Sequence, residues 1–451
     1  MKKISVILTV LIVTLFLGGG PLKSYAEDRY AELQIFSKIL SLTQQYYVEE
    51  VDTKKLITGA IKGMLRELDP HTSYMPPDVY KDFESETAGE FGGIGIEISI
   101  QNGVLTIISP IEDTPAWKAG IKPGDKVVAI DGKSTKGYSL VEASSALKGK
   151  NGDKIVLSII RDNIDKPLDI SITRGKVKIK SVKSTVLDDG YLYVRITSFI
   201  ENTSADLEQV ISDYKKRQNG QIEGVLIDLR RNPGGLLEQA IKVSDLFIKE
   251  GVIVSTIGRD PKNKEVSIAS KRAPFADVPV VVLINEYSAS ASEIVAGALQ
   301  DNKRGVIVGQ RSFGKGSVQS AIKLNDGSAL KLTVARYYTP SGVSIQSEGI
   351  KPDIEIQEIS ADIFSKANNK APILREKDMA NHLKGEKEKQ AEKNGNLNKD
   401  LQNNSVAWWN DIGSKKDSEL SEKERLFKTD YQAYQAFSYL KAWKTLKSLS
   451  K

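Results

Sequence analysis

The spacing of apolar residues changes character several times along the chain. Residues 28–69 place apolar side chains at helical intervals, among them Leu33, Phe36, Ile39 and Leu40, then Leu56, Ile61 and Leu65. The stretch "LDPHTSYMPP" ends that region with a turn and prolines. From Glu90 the runs become short and β-rich: "GGIGIEISI", "GVLTIIS", "KVVAIDG" and "KIVLSIIRD", separated by Gly, Asp and Asn. One helical pattern, Leu140 to Leu147, interrupts them.

From about Gly190, apolar strands alternate with helices. "YLYVRI" precedes a helix around Leu207–Tyr214, and "GVLIDL" precedes one from Leu236 to Ile248. "VPVVVLI" precedes a helix from Ser292, and "GVIVG" follows it. Such alternation predicts an α/β domain. Residues 366–404, rich in Lys, Glu and Asn with few large apolar residues, read as a flexible, solvated segment. The end, "DYQAYQAFSYLKAWKTLKSL", spaces large apolar residues by three and four, which predicts an amphipathic helix docking on the protein or a partner.

The N-terminus modifies this picture. "MKKISVILTVLIVTLFLGGGPLKSYAED" opens with Lys2 and Lys3, followed by an apolar run from Ile4 to Leu17, a Gly/Pro break, and small residues at Ser24 and Ala26. That arrangement predicts a signal peptide cut after Ala26, with an uncleaved membrane anchor as the alternative. Both imply export. Formal net charge is +6 over 451 residues, and removing Lys2, Lys3 and Lys23 with the leader leaves about +3. So weak an excess is no argument for nucleic acid. The absence of cysteine excludes disulfides, thiol catalysis, cysteine-ligated zinc and lipidation through an N-terminal cysteine.

Candidate chemistry is concentrated in "NEYSASASEIVAGALQD", where Ser288, Ser290 and Ser292 alternate with alanine between a strand and a helix. Ser290 lies three residues before Glu293, the capping-box spacing. The structural reading is a helix N-cap. The functional reading uses the same place, because unpaired N–H groups at a helix start stabilise a developing oxyanion. A base decides between them. The histidines, His71 in the Pro-rich turn and His382 in the solvated segment, both lie outside the α/β region, which leaves a Ser-His-Asp triad few candidates.

A lysine can serve if it is held neutral. That costs about 4–5 kcal/mol at pH 7 from an ordinary value near 10.4, and burial shifts a lysine by up to about 3–5 units. Lys315, between Gly314 and Gly316 and beside Phe313, follows an apolar strand in "GVIVGQRSFGKGSVQS". Read alone, this is a glycine turn. Gly309 to Lys315 also resembles a phosphate-binding loop, but position 316 is Gly rather than Ser or Thr, and strands rather than a helix are predicted next. The third piece is "DLRRNPGG", residues 228–235, a strand–helix turn in which Gly234 and Gly235 allow a backbone N–H to approach a reacting carbonyl.

Taken together, "LDPHTSYM", "GGIGIEI", "AGIKPGDKVVAIDG", "LRRNPGG", "SASASEIVAGALQD" and "SFGKGSVQ" resemble, in order, the motifs of the carboxyl-terminal processing proteases, exported serine peptidases of family S41 with a Ser–Lys dyad. The resemblance spans most of residues 45–352; the last hundred residues carry no family motif. It implies an α/β protease core with an inserted β-rich PDZ domain and a helical N-terminal region. The boundaries expected are residues 1–26 signal peptide, 27–89 N-terminal helices, 90–173 PDZ domain, 174–352 peptidase core and 353–451 C-terminal extension.

By resemblance Ser290 matches the nucleophile, Lys315 the general base and Gln319 a glutamine that orients the lysine. The N–H groups of Ala291 and of Gly235 or Gly234 match the oxyanion hole, and Ser288 and Ser292 become structural. In the PDZ region, Gly92, Gly93, Ile94, Gly95 and Ile96 match the turn and strand that receive a peptide terminus, with the N–H groups of Gly93 to Gly95 free for its carboxylate. The resemblance implies an endopeptidase acting near unstructured apolar C-termini, in the periplasm or another extracytoplasmic space, with no cofactor and no metal. Its partners would be protein substrates with free C-termini and a second copy of the chain through the N-terminal helices; it leaves room for an activator protein. Two other classes compete: a PDZ adapter without catalysis, in which Lys315 is far from Ser290 or exposed, and a scaffold that assembles through its terminal helices independently of the dyad.

Overall fold

The computed structural model describes residues 22–111, 114–138, 140–161, 164, 166–188 and 190–359, and beyond these 385, 386, 389, 412, 415 and 417–449. Residues 1–21, most of the expected leader, lie outside the described residues, as do His382 and nearly all of 366–404. The described residues divide into two compact units, one holding those up to Met75 with 321–325 and 329–332, the other holding the rest.

In the first unit, α1 (Leu22–Tyr46) and α2 (Thr53–Arg66) realise the expected helical region. Asp52 starts α2 by accepting the Lys54 N–H at 2.8 Å, an ordinary N-cap. The "DPHT" turn is held by Asp69, whose carboxylate accepts the N–H groups of His71 and Thr72 at 2.8 and 2.9 Å. His71 is thus placed in a built turn. Strand β1 (Ser73–Met75) then pairs antiparallel with residues Ala329–Lys331. Leu33, Phe36, Ile39 and Met64 are exposed, so the helices present apolar surface.

The second unit opens with α3 (Pro77–Thr87) and β2 (Glu90–Gly93). A β-rich body follows: β3 (Ile96–Gln101), β4 (Val104–Pro110), the short α4 (Pro115–Lys118), β5 (Lys126–Ile130), β6 (Lys133–Ser134), α5 (Leu140–Leu147), β7 (Lys154–Ile160) and β8 (Leu168–Thr173). Its sheet runs in the order β3-β4-β5-β7-β8, over a core that includes Ile94, Ile107, Val127, Leu157 and Ile172. Buried Asp125 takes two hydrogen bonds from Arg161, at 2.7 and 2.8 Å, and ties the "KPGD" turn to the end of β7. Strand β9 (Gly175–Lys178) pairs back with β2.

The α/β body is built on β10 (Val182–Asp188), β11 (Tyr191–Ile196), α6 (Thr203–Arg217), β12 (Gly224–Asp228), α7 (Leu237–Asp245), β13 (Val252–Ile257), β14 (Lys264–Ile268), β15 (Val280–Ile284), α8 (Ala291–Asp301), β16 (Val306–Gly309), β17 (Ser317–Lys323), β18 (Ala329–Tyr338) and β19 (Ile354–Glu355). One sheet has the order β10-β11-β12-β15-β16-β19, parallel from β11 onward. The uninterrupted apolar runs of β12 and β15 have a simple cause: both sheet faces are covered. Val225, Ile227, Val280 and Val282 pack with α6, α7 and α8, whereas Leu226, Val281 and Leu283 face the other way.

That second face is covered by the C-terminal helices α9 (Glu422–Thr429) and α10 (Tyr431–Leu449). Phe427, Ala433, Ala436, Phe437 and Leu440 join Tyr191, Tyr193, Leu226 and Val308 in one buried cluster. The expected terminal helix therefore docks on the protein's own sheet. Replacing Phe437 by Ala is expected to cost about 3–5 kcal/mol of stability in chemical denaturation, the range for emptying a buried aromatic site.

Candidate active site

Three turns singled out in the sequence leave the carboxyl ends of three adjacent parallel strands, β12, β15 and β16, where open α/β sheets place their ligand crevices. Polar side chains bind the turns together. Ser288 Oγ donates to the Leu229 carbonyl at 2.8 Å, and Ser292 Oγ to the Asn232 carbonyl at 3.0 Å. Both hydroxyls are committed to the "LRRNPGG" turn. Asn232, fully buried, donates to the Ile196 carbonyl at 2.9 Å and accepts the Gly234 N–H at 2.9 Å.

Ser290, the middle serine, is 7% exposed and has φ +55°. A left-handed serine at a strand-to-helix turn is strained, and such strain clusters at functional sites. Glu293 holds it there. One oxygen of this carboxylate accepts the Ser290 N–H at 2.8 Å and the Lys315 N–H at 2.9 Å. The other accepts Ser312 Oγ at 2.6 Å and the Gly314 N–H at 2.7 Å. Glu293 is wholly buried; burial pushes its carboxyl above the usual range, and the donors oppose that rise. The sequence signalled Glu293 only as half of a capping box.

Lys315 is half-buried, and Gly316 N–H donates to Gln346 Oε1 at 3.0 Å. A Cβ at Gly316 would lie 2.4 Å from the Gln346 nitrogen, so glycine is required where the loop meets residues 345–350. Chain from Ser317 onward forms β17, which separates this loop from a phosphate-binding loop and its helix. Gln319 lies on β17, and its amide donates to Ser317 Oγ at 2.8 Å and Thr333 Oγ1 at 3.4 Å.

Gly234 backs directly on the serine: a Cβ there would stand 2.9 Å from Ser290 Cβ and 3.0 Å from the Ala291 nitrogen. With Gly234 N–H bonded to Asn232, the Gly235 and Ala291 N–H groups are the ones without an acceptor among the described residues. The same three turns line a cleft of about 600 Å³ through Arg231, Pro233, Tyr287, Ala289, Phe313 and Lys315.

Three further residues escaped the sequence reading. Tyr337, on β18, is buried; burial raises its phenol to about 12, opposed by a hydrogen bond with the Ser290 side chain. Asp430 and Gln432 reach Arg230 from the C-terminal helices: Arg230 Nη1 donates to them at 2.9 and 3.0 Å, and Arg230 Nε to Asp228 Oδ1 at 3.0 Å. No local spacing links positions two hundred residues apart.

In the β-rich body the structure narrows one expectation. Gly92 and Gly93 are not in an open turn; they pair with Lys176 and Gly175 in the β2–β9 ladder. Ile94 is buried in the core, and Gly95, at φ +77°, leaves room for Thr114, whose side chain a Cβ would meet at 2.4 Å. The Ile94 and Gly95 N–H groups lack an acceptor among the described residues. Ile96 begins β3, an edge strand with α5 alongside.

A profile for Peptidase family S41 matches residues 190–356, one for a PDZ domain matches 106–161, and one for the activating protease CtpB N-terminal domain matches 22–79. A carboxy-terminal-processing protease of Bartonella bacilliformis is 46% identical over 365 residues, 80% of this chain and 83% of that protein. The chain belongs to peptidase family S41. Among other S41 relatives, carboxy-terminal processing protease CtpB of Bacillus subtilis is 35% identical over 75% of this chain and 70% of its own. The photosystem II D1 C-terminal processing protease aligns with a TM-score of 0.44 at 31% identity, covering 72% of this chain and 92% of that one. This S41 chain is accordingly a C-terminal processing serine peptidase with a PDZ domain.

Two predictions follow from the hydrogen bonds of this S41 site. Glu293→Gln sets an amide N–H₂ against N–H donors in a dry site, and is expected to lower stability by about 1–3 kcal/mol in chemical denaturation. Burial alone would push Asp228 up, but adjacent Arg230 holds it below the usual carboxylate range. Its contribution to stability is therefore present above about pH 4 and is lost as pH falls through the depressed value. The acid limb of a stability–pH profile should flatten in Asp228→Asn.

Proposed function

We propose that this chain is an exported endopeptidase that cleaves proteins near unstructured, apolar C-termini through a Ser290–Lys315 dyad. Lys315, in its neutral form, takes the Ser290 proton; Ser290 Oγ attacks the scissile carbonyl, and the amine leaves with a proton from Lys315. Lys315 then activates the water that hydrolyses the acyl-enzyme. The free N–H groups of Ala291 and Gly235 carry the oxyanion, and Gln319 orients the lysine.

The observation that carries this reading is the shared Glu293 oxygen, which fastens the backbones of Ser290 and Lys315 to one atom. An adapter that had lost catalysis would have no need of that link. The apolar lining beside Lys315, with Pro233, Tyr287, Ala289 and Phe313, supports apolar residues at the cleaved bond. The open edge of β3 and the unpaired N–H groups of Ile94 and Gly95 support capture of a peptide terminus as an added strand.

Export rests on the N-terminal charge, apolar run and small residues, and places the chain in the periplasm or another extracytoplasmic space. No helix among the described residues is long and apolar enough to cross a membrane. Self-association through the N-terminal helices rests on their exposed Leu33, Phe36, Ile39 and Met64. An activator protein is a further partner, a reading supported by the match of residues 22–79 to the CtpB domain.

The test is mass spectrometry of a protein with a floppy apolar C-terminal tail after incubation with residues 27–451. Cleavage by the wild type, abolished in Ser290→Ala and in folded Lys315→Ala, is the expected result. Equal cleavage by the Ser290→Ala protein would overturn the assignment, and tail binding without cleavage by the wild type would favour the adapter. Separately, Leu33→Glu combined with Ile39→Glu is expected to shift the sedimentation coefficient toward the monomer.

A further inference from the structure

Arg231 is an unusual member of the cleft lining. It sits at φ +59°, a left-handed conformation that residues other than glycine and asparagine seldom adopt. Its N–H donates at 3.0 Å to Oδ1 of buried Asn285, and the same oxygen accepts the Tyr287 N–H at 3.3 Å. Two lining residues from different turns are thereby fixed to one atom, and the Arg231 guanidinium lies 6.0 Å from the centre of the Tyr287 ring. Backbone strain at an exposed arginine, maintained by a buried side chain, points to a role for where that side chain is sent.

Charge identifies the role. Of the six lining residues, Pro233, Tyr287, Ala289 and Phe313 are uncharged, and Lys315 is the general base of the proposed dyad, a role that uses its neutral form. Arg231 is left as the standing positive charge of the lining, since a guanidinium stays protonated. Its counter-ion is Glu358 at 3.5 Å, with the two side chains 63% and 52% exposed. So open and long a pair is weak. The planar fork of the guanidinium therefore remains available to a second carboxylate, which it can grip with two hydrogen bonds.

We infer that Arg231 is a specificity-determining residue that binds a substrate carboxylate close to the apolar side chain filling the cleft. The carboxylate belongs either to an acidic side chain or to the substrate's own C-terminus. The inference rests on the proposed peptidase reading of this cleft. Glu358 competes for the same guanidinium and so moderates the preference.

The test compares three peptides sharing one apolar cleavage sequence: a C-terminally amidated peptide with glutamate beside the apolar residue, its amidated glutamine counterpart, and the glutamine peptide with a free C-terminus. For the wild type, kcat/KM is expected to be about tenfold higher for at least one carboxylate peptide than for the neutral one, mostly through KM, and the ratio should shrink as salt rises. Which peptide gains identifies the source of the carboxylate. In Arg231→Gln the ratio should fall to about one, in Arg231→Glu it should fall below one, and in Glu358→Gln it should increase. A wild-type ratio of one, or a ratio that survives Arg231→Gln, overturns the inference. Ser290→Ala run in parallel separates the two levels: neutral-peptide cleavage that needs Ser290 but ignores charge defeats only the role of Arg231, whereas cleavage that persists without Ser290 defeats the peptidase assignment itself.

Discussion

A carboxylate removed from water is stable only where donors surround it, and Glu293 obtains all of its donors from the two turns that would do the chemistry. The constraint works in both directions. Burying Glu293 in the first turn of α8 requires that the Ser290 and Lys315 turns close over it, and closing them fixes where the serine and the lysine loop lie. The left-handed backbone at Ser290 and the glycines at 314 and 316 are costs and permissions of that closure. Without the carboxylate, the Gly314 and Lys315 N–H groups would need other partners.

The sheet beneath supplies the other half of the geometry. Because β12, β15 and β16 are parallel neighbours, their turns emerge side by side, and Asn232, Asn285, Ser288 and Ser292 stitch the turns to one another. Such a sheet needs cover on both faces. Helices α6 to α8 cover one, and the C-terminal helices cover the other while gripping Arg230, two residues before Asn232. The C-terminal region is therefore part of the peptidase body, although it carries none of the motifs by which the body is recognised.

Legibility in the sequence followed the range of the interactions. The strand–helix alternation from Gly190 and the amphipathic spacing of Tyr431, Tyr434 and Phe437 are local and were read correctly as an α/β body and a docking helix. The three turns were also readable, because Gly, Pro and Ser clusters mark turns wherever they occur. Which serine is distinctive was not readable from spacing, since it depends on Ser288 and Ser292 finding carbonyls some sixty positions upstream in "LRRNPGG". The pairing of Asp430 with Arg230 was hidden for the same reason. Gly92 and Gly93 misled in a different way: a glycine-rich run suggests an open loop, but its ladder partner, Gly175–Lys178, is another short stretch with no strong strand pattern. Glu293 is visible in the sequence only as half of a capping box. Its capping-box spacing gave a sufficient local explanation, and the other hydrogen bonds it makes come from the distant loop.

On the proposed reading, Glu293 sets up Ser290 as the reactive hydroxyl. The most direct measurement is the rate at which a fluorophosphonate probe labels the protein, with the modified residue located by peptide mass spectrometry, in the wild type and in Glu293→Gln under conditions where both are folded. The account predicts a single label on Ser290 and a rate lower in Glu293→Gln by on the order of 10²-fold, the scale of a small misplacement of reacting groups. A label on Ser288, Ser292 or another serine, or an unchanged rate in the folded variant, would contradict it.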